Sequence, residues 1–104
     1  MYRATTPTTT FTLEVETSSL AQVLVTFKQD DVSLNKHYRN GTLPSGMTFD
    51  GKKVIVKLTQ EESLLFDEGK QTYAQLRAKT LAGDAVATKK FPVNVHSSLN
   101  EEIL

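Results

Sequence analysis

The chain has 104 residues, no cysteine, and twelve basic side chains against twelve acidic ones. One domain of that length can hide roughly two-thirds of its unfolded surface without staples, and the missing cysteines exclude a disulfide framework and Cys-based zinc or redox sites. Zero net charge without a long basic run argues against nucleic acid as a partner, and no apolar run approaches membrane-spanning length.

Met1–Thr10 is rich in threonine and contains Pro7. β-Branched residues favour extended backbone and proline opposes helix, so residues 1–10 read as an extended arm or as a frayed terminus. The stretch lacks the apolar core of a signal peptide, which predicts a chain that stays in the cytoplasm or joins a particle assembled there. Phe11–Glu16 alternates, with Phe11, Leu13 and Val15 on one side and Thr12, Glu14 and Glu16 on the other, the period of a half-buried strand. Thr17–Leu20 is a turn. Ala21–Gln29 is a second strand carrying Val23, Val25 and Phe27 on one face, and the short connection predicts that these two strands pair antiparallel. Gln29-Asp30-Asp31 breaks the pattern. Val32–Tyr38 alternates more weakly, through Val32, Leu34, Lys36 and Tyr38, as a third strand.

Arg39–Gly46 holds Asn40-Gly41 and Pro44-Ser45-Gly46 and reads as a loop. Met47–Phe49 and Lys52–Leu58 flank Asp50-Gly51, a dipeptide suited to a type I′ hairpin turn. Val54, Val56 and Leu58 share one face and Ile55 takes the other. Thr59-Gln60-Glu61-Glu62 matches a capping box, with two acidic residues placed to suit the dipole of the first turn. The spacing predicts a short helix of about two turns over residues 60–66, ended by Asp67-Glu68-Gly69, that plugs one end of the sheets with Leu64, Leu65 and Phe66. Gln71–Thr80 alternates again, with Ala74, Leu76 and Ala78 inward and Tyr73, Gln75, Arg77 and Lys79 outward. Leu81-Ala82-Gly83-Asp84 turns the chain into Ala85–His96, where Phe91, Val93 and Val95 face inward and Pro92, which cannot donate to a ladder, needs an edge or a bulge. Several short strands at this spacing describe an all-β fold, an antiparallel β-sandwich of immunoglobulin-like size with one short connecting helix over residues 11–96. A partly open barrel is the alternative. Residues 97–104 form a polar, acidic tail.

Candidate chemistry is sparse. His37 and His96 lie in different strands without ligand spacing, which predicts no metal site. The pairs Asp30-Asp31, Glu61-Glu62, Asp67-Glu68 and Glu101-Glu102 fit turns, caps and the tail; Asp30-Asp31 and Asp50 would suit calcium only if two loops met at one end. No serine stands in a nucleophile motif and no glycine in a phosphate loop, so the chain reads as non-enzymatic and without a cofactor. Two surfaces stand out. Tyr73, Gln75, Arg77 and Lys79, with Lys89 across the hairpin, form a candidate flat binding face. Leu99, Ile103 and Leu104 are apolar residues in a charged tail, suited to docking on a neighbour or to covering the domain's own edge.

One resemblance adds to this. The chain opens Met1-Tyr2-Arg3-Ala4-Thr5-Thr6-Pro7-Thr8, continues through Thr26-Phe27-Lys28-Gln29 and the run from Val56 to Phe66, then Gln75-Leu76-Arg77 and the Gly83-to-Ala87 hairpin, and closes on an acidic-apolar tail. That order resembles small proteins encoded in phages and prophages of Gram-positive bacteria, which carry glycine where Ala4 stands and whose activity is unassigned. The loop Arg39–Gly46 departs from theirs in length. The resemblance implies a structural or assembly protein of the tail, baseplate or head–tail region, made in the host cytoplasm and carried into the virion. Its partners would be other phage structural proteins or further copies of itself, with no nucleic acid and no membrane. In such a role the terminal arms, with Tyr2 and Arg3 in the first, are candidate contact residues.

Overall fold

The computed structural model describes residues 1–104 and is almost entirely β: two antiparallel sheets packed face to face. The strands are β1 (Thr8–Thr12), β2 (Leu20–Gln29), β3 (Val32–Tyr38), β4 (Met47–Asp50), β5 (Lys53–Lys57), β6 (Thr72–Thr80), β7 (Ala85–Ala87) and β8 (Phe91–Val93); one helix, α1 (Gln60–Ser63), lies between β5 and β6. One sheet runs β1-β5-β4. The other runs β3-β2-β6, with β7 and then β8 along the far side of β6.

The period-two faces of the sequence are the faces of the sheets. Val23, Val25 and Phe27 from β2 and Ala74, Leu76 and Ala78 from β6 meet Phe11, Met47, Val54 and Val56 from the other sheet in one buried core. Phe66 and Leu58 close it. The alanines of β6 sit directly opposite Val23 and Phe27 of β2, so small residues alternate with large ones along the facing strands.

Several expectations need correction. The first two strands do not pair with each other: β1 pairs β5, and β2 pairs β3 and β6. A single 3₁₀ turn, Thr17–Ser19, carries the chain between sheets, held where the Thr17 N–H and hydroxyl both donate to the Gly51 carbonyl (2.8 and 2.7 Å). The first strand also begins earlier and ends sooner than its alternation suggests. Thr8–Thr10, assigned to the arm, pair with Ile55–Lys57, and the ladder stops where β5 reaches its own turn. That turn is not type I′ at Asp50-Gly51. Asp50 pairs Lys53, the central residues are Gly51 and Lys52, and only Gly51 has positive φ (59°). The two successive positive φ values of a type I′ turn occur instead at Asn40 (52°) and Gly41 (73°). Gly46 is demanded by close approach, since a Cβ there would stand 2.2 Å from the Lys57 carbonyl oxygen.

The helix is one turn, not two. The capping box forms as spaced, with the Glu62 N–H donating to the Thr59 hydroxyl (3.1 Å) and the Glu62 carboxylate accepting from the Thr59 N–H (2.9 Å). The backbone then leaves the helix at Leu64, so Phe66 is buried, Leu64 half-buried and Leu65 exposed. The last long strand is broken as well. From Ala87 to Phe91 the chain advances four residues while β6 advances three, from Arg77 to Ala74. The extra residue is absorbed around Thr88, whose N–H donates to the Leu76 carbonyl (2.9 Å) while its hydroxyl accepts from the Leu76 N–H (3.0 Å). Pro92 falls on this interrupted edge.

Two polar residues continue the inward phase of the β2–β3 hairpin. Gln29 follows Phe27, and its amide donates to the Asp67 carbonyl and the Thr72 hydroxyl (2.8 Å each) and accepts from the Asp67 N–H (2.9 Å). Lys36, only 7% exposed, meets the Glu62 carboxylate at 2.5 Å. Burial pushes the Glu62 carboxyl up, but the hydrogen bonds from Lys36 and the Thr59 N–H, with the Lys36 charge, outweigh it and hold Glu62 below the ordinary carboxylate range. Because the native value is lowered, this stabilisation is complete above the ordinary glutamate range and is lost as pH falls through the native value. Glu62→Ala is expected to cost about 2–4 kcal/mol, since it removes a cap and strands the lysine. Lys36→Met keeps the packed stem and should cost about 1 kcal/mol or less; it should also shrink the acid-dependent part of stability. Urea denaturation of both variants at pH 7 and pH 3 checks this, and an unchanged pH dependence in Lys36→Met contradicts it.

Candidate interaction surfaces

The outward face of β6 is a flat, basic surface. Period two puts Tyr73, Gln75, Arg77 and Lys79 on one side, and the β2 register sets Lys28, Thr26, Leu24 and Gln22 beside them in turn. Tyr73 is 45% exposed. A shallow groove of about 390 Å³ runs here, lined by Lys28, Thr26, Tyr73, Gln75, Lys90 and Asp30. The Gln75 amide is tied to the Thr88 carbonyl (3.0 Å), which fixes the groove wall. The β6 face and this groove carry four cations, Lys28, Arg77, Lys79 and Lys90, against the single carboxylate of Asp30. A chain that is neutral on average thus presents one basic face. Strict alternation would set Lys89 as the neighbour across the hairpin. The extra residue at Thr88 shifts the phase, so Lys90 lines this groove and Lys89 lines a different one, with Leu13, Val15, Leu76 and Val86. Lys28 was legible only as an outward residue of its own strand; its place opposite Tyr73 is a matter of strand order.

The terminal arms lie on the domain itself. The Met1 ammonium donates to the Asn94 carbonyl (2.7 Å), the His96 N–H to the Met1 carbonyl (2.8 Å) and the Arg3 N–H to the His96 carbonyl (2.9 Å), a short parallel ladder with Tyr2 and His96 in ring contact. Arg3 reaches the Glu101 carboxylate at 2.6 Å and the Leu64 carbonyl at 3.3 Å, and the Ser98 hydroxyl donates to the Arg3 carbonyl (2.7 Å). Hydrogen bonds from the Ser97 N–H and hydroxyl hold Glu68 below the ordinary carboxylate range beside this clasp. At the other end of the tail, the Leu104 N–H donates to Gln60 (2.7 Å). All three apolar tail residues are exposed, Leu99 and Leu104 fully; Ile103 and Leu104 both border a groove with Thr6, Ser45 and Lys57. The structure brings Tyr2 and Arg3 together with the tail and keeps both apart from the β6 face.

The remaining chemistry is dispersed. His37 stands against Gln22 (3.0 Å), and the turn at Asp30-Asp31 lies at the opposite end of β2 from the turn at Asp50-Gly51. No helix is long and apolar enough to cross a membrane.

The sheet edges differ in how they are finished. β3 turns the charged Lys36 inward at mid-strand; β4 has only four residues; β7 and β8 have three each, with an irregular join and Pro92. Each of these discourages pairing with another chain. β1 has none of them: Thr8–Thr12 contains no charge, no proline and no bulge. The Leu13 N–H donates to the Lys52 carbonyl and the Leu58 N–H to the Pro7 carbonyl, which marks the odd positions as those bonded to β5. The N–H and C=O groups of Thr8, Thr10 and Thr12 therefore point to the open side.

No family model matches the chain, and neither a curated protein nor a solved structure matches it significantly. The terminal clasp makes one expectation: Glu101→Ala should cost about 1 kcal/mol or less yet speed amide exchange at Arg3 and His96, leaving Val25 and Leu76 protected. Unchanged exchange at Arg3 and His96 would show that the backbone ladder holds without the ion pair.

Proposed function

We propose that this chain is a non-enzymatic structural or assembly protein of a phage or prophage particle, working through protein–protein contacts in the tail, baseplate or head–tail region. The phage setting rests on the motif order from Met1 to Phe66 and through the Gly83-to-Ala87 hairpin. The mode of action rests on one observation, the open β1 edge in a domain whose other edges are finished. A row of unpaired backbone donors and acceptors is complementary to another strand and to little else. This edge, and not the terminal arms, supplies the contact, because the arms are spent on the domain's own ladder and ion pair. Quantitative mass spectrometry of purified particles tests the reading. The expected result is a stoichiometric presence; absence from both particles and assembly intermediates overturns it.

A second reading is favoured by the basic β6 face: a binding module for an anionic polymer or protein of the host surface. Lys28, Arg77, Lys79 and Lys90 supply cations over a flat face, and Tyr73 offers a ring for stacking. Binding to host cell-wall fractions should then weaken with salt and fall at least about tenfold in a Tyr73→Ala/Arg77→Ala variant, with melting temperature unchanged because both side chains are outward. Wild-type protein that leaves such fractions unbound at low salt removes this reading.

A further inference from the structure

We infer that the β1 edge pairs with the β1 edge of a second copy, antiparallel about a two-fold axis through Thr10, joining two three-stranded sheets into one of order β4-β5-β1-β1-β5-β4. The inference rests on the protein-contact reading above and names its partner.

The free backbone groups fix the register. Those of Thr8, Thr10 and Thr12 point outward, and all three are used when Thr10 faces its own copy and Thr8 faces Thr12 of the second chain. That arrangement forms about six inter-chain backbone hydrogen bonds, two for each facing pair. The side chains agree with it. Thr8, Thr10 and Thr12 are exposed on the outer face, so the joint stacks threonine on threonine, a favourable cross-strand pair. On the inner face Thr9 of one copy falls opposite the buried Phe11 of the other. No charged residue lies in the strand, and this matters because a two-fold axis brings each position near its own duplicate, where any charge would meet its like.

The second copy is the occupant that the rest of the molecule leaves. The chain's own extended segments are engaged: Met1–Arg3 on Asn94–Ser98, and Leu104 on Gln60. Its other edges are blunted by the inward Lys36, by shortness, or by the break and Pro92. In a solution of this protein the only other undefended strand is therefore another β1. Pairing over five residues is a small contact, so the dimer is a concentration-dependent one.

Sedimentation equilibrium over a wide concentration series tests this, with Thr10→Lys, Thr10→Glu and, as a control on another edge, Ser33→Lys. Wild type and Ser33→Lys should show the same monomer–dimer equilibrium. Thr10→Lys and Thr10→Glu should each raise the dissociation constant at least about tenfold at low salt, because the axis sets like charges face to face. A mixture of the two should form a heterodimer tighter than either alone. Circular dichroism should show all of them folded, since the Thr10 side chain is outward and its N–H is not used within the domain. A wild type that stays monomeric to millimolar concentration, or a dimer indifferent to Thr10→Lys, overturns the inference. A monomeric chain found in particles would overturn the self-pairing alone, and a Thr10-dependent dimer absent from both particles and assembly intermediates would overturn the phage role alone.

Discussion

The crossover from β5 to β6 is the segment on which the sandwich depends. It must carry the chain from one sheet to the other, cover the end of the core with Phe66, and deliver β6 to the centre of the five-stranded sheet. Local propensity cannot hold it, because one turn of helix is far below the length at which a helix is stable alone. Two polar side chains of the β2–β3 hairpin hold it instead. Lys36 grips Glu62 at the helix start, and Gln29 takes both backbone groups of Asp67 where the helix has ended. Each stands where the alternation calls for an apolar residue, and each is satisfied by its partners, so desolvation is offset by charge-assisted or multiple hydrogen bonds. The same Glu62 carboxylate also caps the helix, so a single group couples helix, hairpin and pH response.

Edge finishing follows from this arrangement. The Lys36 that anchors the crossover also turns a charge inward on β3, an outer strand that is otherwise long enough to recruit a partner. The irregular join at Thr88 serves two ends as well. It interrupts the edge formed by β7 and β8, and it rotates the phase so that Lys90 joins Lys28 over Tyr73. The outcome is a small domain with two distinct surfaces: a basic sheet face and a neutral, threonine-lined strand edge. A charge count over the whole chain averages this away, since the carboxylates fall in turns, at the helix cap and in the tail, whereas the cations of β2 and β6 gather on one face.

Much of the architecture was legible in the sequence because strands with one buried face must alternate. Val23, Val25 and Phe27, Val54 and Val56, and Ala74, Leu76 and Ala78 announce their faces by spacing alone, and Thr59 to Glu62 announces a cap through contacts three residues apart. These features are local, and the residues that cause them lie within one strand or one turn. Buried polar contacts show in the sequence only as breaks in phase. Gln29 and Lys36 continue an inward series with polar atoms, which points to a buried partner without saying which.

Strand order is set by the fold, and so is everything that depends on it. That β1 leaves β2 for β5, that Lys28 lies beside Tyr73, that Arg3 meets Glu101 and that β1 remains an open edge are contacts across tens of residues. Alternation specifies which way a side chain faces and is silent on which strand lies next to it, because every antiparallel neighbour satisfies the same period. The choice is made by packing volume and by the few buried polar pairs that only one order can satisfy. Faces are local and follow from residue spacing; neighbours follow from the fold, and the surfaces proposed for function are made of neighbours.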